Sequence, residues 1–124
     1  MVEMHILIVD DSRIMRQIVK RTLNQAGFED AKYSEAADGC EALAIFKKTK
    51  PDIILSDWNM PNMDGLSLLQ EVRKTDADIP FGLITAQSTA SLRESARYHG
   101  AHFLLSKPFT PESLGTAIQA ILTT

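Results

Sequence analysis

The chain predicts an α/β domain in which a doubly wound, five-stranded parallel sheet carries helices on both faces. Strand-like and helix-like patterns alternate about five times along its 124 residues, and right-handed crossovers leave few other arrangements for such a repeat. Two of the strand-like runs, His5-Ile6-Leu7-Ile8-Val9 and Ile53-Ile54-Leu55-Ser56, carry consecutive apolar residues rather than alternating ones, as strands buried on both faces do. Asp10, Asp11, Asp57, Thr85 and Lys107 all come just after a predicted strand, and sheets of this kind hold ligands at the carboxyl ends of their strands.

In order along the chain, His5–Val9 is the first strand. Ser12 to Ala26 follows as a helix with Ile14, Met15, Ile18, Val19 and Leu23 on one face, stopped by Gly27. Ala31–Glu35 is a weak second strand. Asp38-Gly39 opens a helix with Ala42, Leu43 and Phe46 inward, closing near Pro51. Ile53–Ser56 is the third strand, and Asn59 to Gly65 is loop chemistry before a helix marked by Leu66, Leu69 and Val72. Phe81–Ile84 is the fourth strand, with Thr85 to Ser88 as its loop. Thr89–His99 is a weakly amphipathic helix stopped by Gly100, and His102–Leu105 the fifth strand. The last helix uses Leu114, Ile118, Ile121 and Leu122; Thr110 suits its N-cap and Pro111 its first turn.

The length fits one domain, residues 1–124, with a single core region. At 44% hydrophobic and 23% charged residues the composition is globular, and no apolar run is long enough to span a bilayer. The N-terminus lacks the basic and apolar regions of a secretory signal, and the single Cys40 cannot form an internal disulfide, which together predict a soluble cytoplasmic protein. A net charge of −3 supplies no basic face for nucleic acid.

Asp10, Asp11 and Asp57 are the most informative residues. Carboxylates about 4 Å apart repel by roughly 4 kcal/mol at an effective dielectric of 20, so a cation is expected among them. Mg2+ takes carboxylate oxygens at about 2.1 Å and keeps several waters; Asp11, Asp57 and a backbone carbonyl can supply its shell, with Asp10 direct or through water. The competing role for Asp11 or Ser12 is to cap the helix starting near Arg13. A carboxylate at Asp57 can attack phosphorus to form an acyl phosphate, and Lys107 is the natural counter-charge for phosphoryl oxygens. The Lys107-Pro108 bond can be cis at a cost of about 0.5–1 kcal/mol, which would fix where the lysine points. Thr85 can donate its hydroxyl hydrogen to a phosphoryl group. Trp58 is expected as a partly exposed wall, Met60 and Met63 as loop packing, and Cys40 as a buried small side chain. Lys47, Lys48 and Lys50 read as a solvated face that complements a helix dipole. His5, His99 and His102 show no metal-ligand spacing.

Taken together, Ile8-Val9-Asp10-Asp11-Ser12, Ser56 to Gly65, Thr85-Ala86 and Lys107-Pro108-Phe109 resemble the receiver domain of bacterial two-component response regulators over the whole chain. The resemblance is closest to the single-domain chemotaxis members and implies a flavodoxin-like fold with strand order 2-1-3-4-5. It also implies that Asp57 is the phosphoacceptor, that Asp10 and Asp11 help bind Mg2+ with the Asn59 backbone carbonyl, and that Thr85 and Lys107 contact the phosphoryl group. The donor implied is a sensor histidine kinase docking near the first helix, where Arg13, Arg16 and Gln17 are exposed candidates. The downstream partner implied is a protein such as a flagellar motor switch component. The domain is then a signalling switch rather than an enzyme, limited to self-phosphorylation and slow self-dephosphorylation; in the family, Asn59 and Gln87 stand at positions that help set the acyl-phosphate lifetime. The family often carries a switching aromatic three residues before the lysine. Here that residue is Leu104, with Phe103 one earlier and on the opposite face by strand alternation.

Three rival readings are distinguishable. A phosphatase with an aspartyl-phosphate intermediate commonly has a second Asp two residues after its nucleophile, where this chain has Asn59. An FMN carrier needs a hydroxyl- and glycine-rich phosphate loop after the first strand, where Asp10-Asp11 would repel phosphate. An unphosphorylated interaction module, or a receiver domain cut from a longer regulator, stays open.

Overall fold

In the computed structural model, which describes residues 4–122, the elements follow the βα repeat. They are β1 (His5–Val9), α1 (Arg13–Leu23), β2 (Lys32–Ala36), α2 (Gly39–Thr49), β3 (Ile53–Asp57), α3 (Gly65–Arg73), β4 (Phe81–Thr85), α4 (Ala90–Tyr98), β5 (Phe103–Ser106) and α5 (Pro111–Leu122). The strands form one parallel sheet in the order β2-β1-β3-β4-β5.

Strand alternation divides the core in two. Ile6, Ile8, Ile53, Leu55 and Ile84 point to the face covered by Val19 and Leu23 of α1 and Leu114 and Ile118 of α5. Leu7, Val9, Ile54, Phe81 and Leu83 point to the other face, under α2, α3 and α4. Each such side chain contributes roughly 1.5–3 kcal/mol on burial, and β1 and β3 are buried along almost their whole length. This apolar burial fixes the strand ends that carry the acidic residues.

Ser12, Asp38, Asp64 and Thr89 cap α1, α2, α3 and α4, each accepting from the backbone N–H three residues on; such caps contribute about 1 kcal/mol. Thr110 caps α5 in the same way through Ser113 N–H. Since Ser12 takes the α1 cap, Asp11 is not needed for it.

Several boundaries differ from expectation. β3 and β4 extend one residue further, to Asp57 and Thr85, and β2 and β5 are each displaced by one residue toward the carboxyl end. The cause is pairing, because Asp57 is in register with Ile84 and Thr85 with Ser106, and hydrophobicity does not register a ladder partner. α1 ends at Leu23 and continues as a π-helical turn, Asn24–Phe28, instead of running to Ala26. Gly27 within it has φ 104°, a conformation that favours glycine.

Two exposure expectations are corrected. Cys40 is exposed, because the buried phase of α2 is Gly39, Ala42 and Phe46. Trp58 is only 9% exposed and packs into the α2–α4 core, since it continues the alternation of Ile54 and Ser56. Lys47, Lys48 and Lys50 are exposed at the end of α2, and Met60 and Met63 pack against the core, both as expected. Leu104 and Phe103 lie on opposite faces of β5, against the α2–α4 and the α1–α5 cores respectively.

Candidate functional site

Register alone sets up the site. Val9 pairs with Ser56, so the next residues, Asp10 and Asp57, end the two central strands at one level. Asp10 continues the phase of Ile6 and Ile8, and Asp57 that of Ile53 and Leu55, which puts both on the α1–α5 side of the sheet. Asp10 is 4% exposed and Asp57 9%. With the exposed Asp11 they offer one carboxylate oxygen each within 4.8 Å of one another.

Lys107 enters from the far side of β4. Its backbone N–H donates to the Thr85 carbonyl at 2.8 Å, the Lys107-Pro108 peptide bond is cis, and its Nζ lies 3.3 Å from Asp57 Oδ1 and 3.5 Å from Asp10 Oδ2. Backbone donors hold the carboxylates as well. Trp58 N–H donates to Asp57 Oδ1 at 3.0 Å and Ser12 N–H to Asp10 Oδ1 at 2.9 Å. Burial first, and the Asp10 carboxylate second, push the Asp57 carboxyl above its ordinary value, against the opposing pull of Lys107 and the Trp58 N–H.

Thr85 is buried at the end of β4, and its hydroxyl oxygen accepts from Gln87 N–H at 3.2 Å. That contact uses the oxygen and leaves the hydroxyl hydrogen to donate. Asn59 is exposed two residues after Asp57. The loop that carries it is tied to the start of α2: Asn62 Nδ2 donates to Asp38 Oδ2 at 2.7 Å and Gly39 N–H to the Met63 carbonyl at 3.0 Å. Gly65 lies so close to the Asp57 carbonyl that a β-carbon there would collide with it.

Asp10, Asp11, Asp57 and Lys107 are therefore brought into one pocket. Arg16 departs from expectation. It is half-buried rather than presented to a partner, with Nη1 donating to the Asp10 carbonyl at 2.7 Å and Nε to Glu35 Oε1 at 2.9 Å; Arg13 and Gln17 stay exposed. Glu35 is the residue that sequence reading missed, because its partner is 19 positions away and no local spacing marks the pair.

A trio of carboxylate oxygens suits a hard divalent cation such as Mg2+. Asp10, Asp11 and Asp57 would hold it, and the fit rests on their donor chemistry and their mutual distances.

A parallel sheet in the order 2-1-3-4-5, with an acidic, lysine-bearing pocket at the ends of its central strands, defines a class of flavodoxin-like domains without a phosphate-binding glycine loop. The chain belongs to the response regulator receiver domain family, whose sequence model matches residues 6–119. It is a phosphorylation-activated signalling switch of the two-component type. It is 36% identical over 124 residues to a chemotaxis protein CheY homolog of Campylobacter jejuni, covering 98% of this chain and 94% of that protein. It is 38% identical over 120 residues to chemotaxis protein CheY-3 of Vibrio cholerae, covering 95% and 91%. A probable transcriptional regulator, ycf27 of Porphyridium aerugineum, is 38% identical over 117 residues; the chain spans about half of that protein, 47% of its length. Among solved structures, Vibrio cholerae CheY4 matches with a TM-score of 0.87 at 36% identity, over 97% of this chain and 99% of that one. Among the described residues no helix is long and apolar enough to cross a membrane.

Proposed function

We propose that Asp57 accepts a phosphoryl group from the phosphohistidine of a sensor histidine kinase, and that residues 1–124 act as one receiver domain in chemotaxis-type signalling in the cytoplasm. The observation that carries this reading is the buried Asp57 carboxylate facing two further carboxylates and, at 3.3 Å, the Lys107 ammonium. Asp57 Oδ1 is held by Trp58 N–H and Lys107, which leaves Oδ2 as the attacking oxygen. The new bond joins that oxygen to phosphorus, the phosphorus–nitrogen bond breaks, and the leaving imidazole nitrogen takes a proton from solvent. Asp10, Asp11, Asp57 and the Asn59 carbonyl would hold Mg2+, which when bound would supply positive charge for the phosphoryl oxygens.

Lys107 moves its charge from carboxylate to phosphoryl oxygen, and the Thr85 hydroxyl donates to the same group. With Asn59 where a general acid would be needed, hydrolysis is slow and the domain remains a switch. Full conversion from 1:99 to 99:1 between its two states requires about 5.5 kcal/mol of differential binding. Leu104 leaves no aromatic at the usual position, so Thr85 signals through repacking of the α4–β5 face.

Near full-length coverage of the CheY relatives supports a protein partner such as a flagellar motor switch component. The half-length match to the transcriptional regulator supports the second reading, a receiver domain of a longer regulator. Intact mass after treatment with a small acyl-phosphate donor tests the site. A phosphoryl mass is expected only with Mg2+ and only in the wild type, not in Asp57→Asn. Mg2+ binding without any mass gain would leave an unphosphorylated interaction module.

A further inference from the structure

We propose that Arg16, clamped by Glu35, is a positioning residue for the cation site; this rests on the reading of Asp10, Asp11 and Asp57 as its ligands. Arg16 sits in the first turn of α1 and reaches back to the strand end with two separate donors, Nη1 to the Asp10 carbonyl at 2.7 Å and Nε to Glu35 Oε1 at 2.9 Å. Its side chain is 15% exposed and that of Glu35 31%, so the pair is more constrained than a surface ion pair, which contributes about 0–1 kcal/mol.

The contact falls on the Asp10 carbonyl, beside two groups of the same residue that are already held. Asp10 N–H is paired to the Ala36 carbonyl at 3.1 Å and Asp10 Oδ1 to Ser12 N–H at 2.9 Å. Arg16 then fixes the Asp10 carbonyl, and with it the plane of the Asp10–Asp11 peptide. Asp11 is exposed, so the aim of its carboxylate follows from that plane rather than from packing. Released from Arg16, the peptide can rotate and swing the Asp11 carboxylate away from Asp10 and Asp57.

Glu35 has a second effect. It matches the guanidinium charge, so Arg16 orients the turn without adding net positive charge that would repel a cation. It also keeps the guanidinium on the Asp10 carbonyl and away from the carboxylates, where it would compete with the cation. Lysine cannot substitute, because one ammonium does not present the planar fork that spans both acceptors.

Mg2+ titration followed by Trp58 fluorescence, without phosphodonor, tests this in the wild type, Arg16→Met, Arg16→Lys, Glu35→Gln and the Arg16→Met/Glu35→Gln double variant. Groups that orient metal ligands typically change affinity 10–100-fold, and Arg16→Met is expected to raise the Mg2+ Kd about tenfold. Arg16→Lys should recover little of that, and Glu35→Gln should have a smaller effect that disappears in the double variant, the non-additivity of one network. Phosphorylation by an acyl-phosphate donor should return to the wild-type rate at saturating Mg2+, which separates positioning of the cation site from direct contact with the phosphoryl group. A lowered Tm with unchanged Mg2+ Kd, or additive effects of the two substitutions, would overturn the proposal. Glu35→Gln provides the same test if Arg16→Met does not fold. Failure of the wild type itself to bind Mg2+ would instead overturn the reading of the acidic site, and this proposal with it.

Discussion

Replacing Asp57 by asparagine removes charge from a buried pocket while keeping shape and an acceptor for the Trp58 N–H. With their ligand oxygens within 4.8 Å and an effective dielectric of 20, each neighbouring carboxylate repels Asp57 by at least about 3.5 kcal/mol, while Lys107 at 3.3 Å attracts it by about 5 kcal/mol. Asp11 is exposed and its share is screened, but burial adds a cost to the ionised form. Burial and the Asp10 carboxylate together outweigh Lys107, since the Asp57 carboxyl is raised, so the balance favours the amide in the absence of metal. The sign in pH follows from the Asp57 carboxyl being raised above its ordinary 3.8. The folded state prefers the protonated form, so the wild type loses stability as pH rises from the ordinary value through the raised one. The variant escapes that loss. Urea unfolding in EDTA should therefore show Asp57→Asn more stable at neutral pH and the two proteins converging in acid. Mg2+ at 100 times its Kd should stabilise the wild type by about 2.7 kcal/mol and the variant by much less. A variant less stable than wild type at neutral pH in EDTA would refute this electrostatic account of the pocket.

Three further outcomes follow from the structure. Lys107→Met leaves two buried carboxylates without their cation; breaking a fully buried pair costs 3–5 kcal/mol, and with Lys107 22% exposed the loss should be about 2 kcal/mol, read by urea unfolding in EDTA. The same variant should bind Mg2+ more tightly by Trp58 fluorescence, since no ammonium competes for the carboxylates, and unchanged affinity would count against that competition. Gly82→Ala sets a β-carbon into the Phe103 ring, an overpacking that typically costs about 1–3 kcal/mol. The loss should appear as a lower Tm and be partly restored by Phe103→Leu, whereas additive losses would contradict direct contact.

The fold class was legible because apolar runs of strand length alternate with helical periodicity, and because His5–Val9 and Ile53–Ser56 are apolar on both faces. Burial of this kind is written residue by residue, so sequence alone specified the two central strands with Asp10 and Asp57 at their ends, and placed Thr85 and Lys107 at the ends of β4 and β5. Local chemistry likewise marked Thr110 with Pro111 at the start of α5, an N-cap that needs only neighbours within three residues. What depended on partners distant in sequence was not legible. Asp57 and Thr85 joined their strands because Ile84 and Ser106 pair with them. Cys40 turned outward because α2 docks through Ala42 and Phe46. Trp58 was buried because strand alternation continues past Asp57 into the α2–α4 core. Arg16, which reads as a surface arginine on an amphipathic helix, was drawn inward by a carbonyl six residues back and a carboxylate on an edge strand. Sequence determined which side chains reach the carboxyl edge, since periodicity and strand length are local properties. Tertiary structure alone decided their distances, burial and charge balance, because these depend on register between strands and on which helix face meets the sheet.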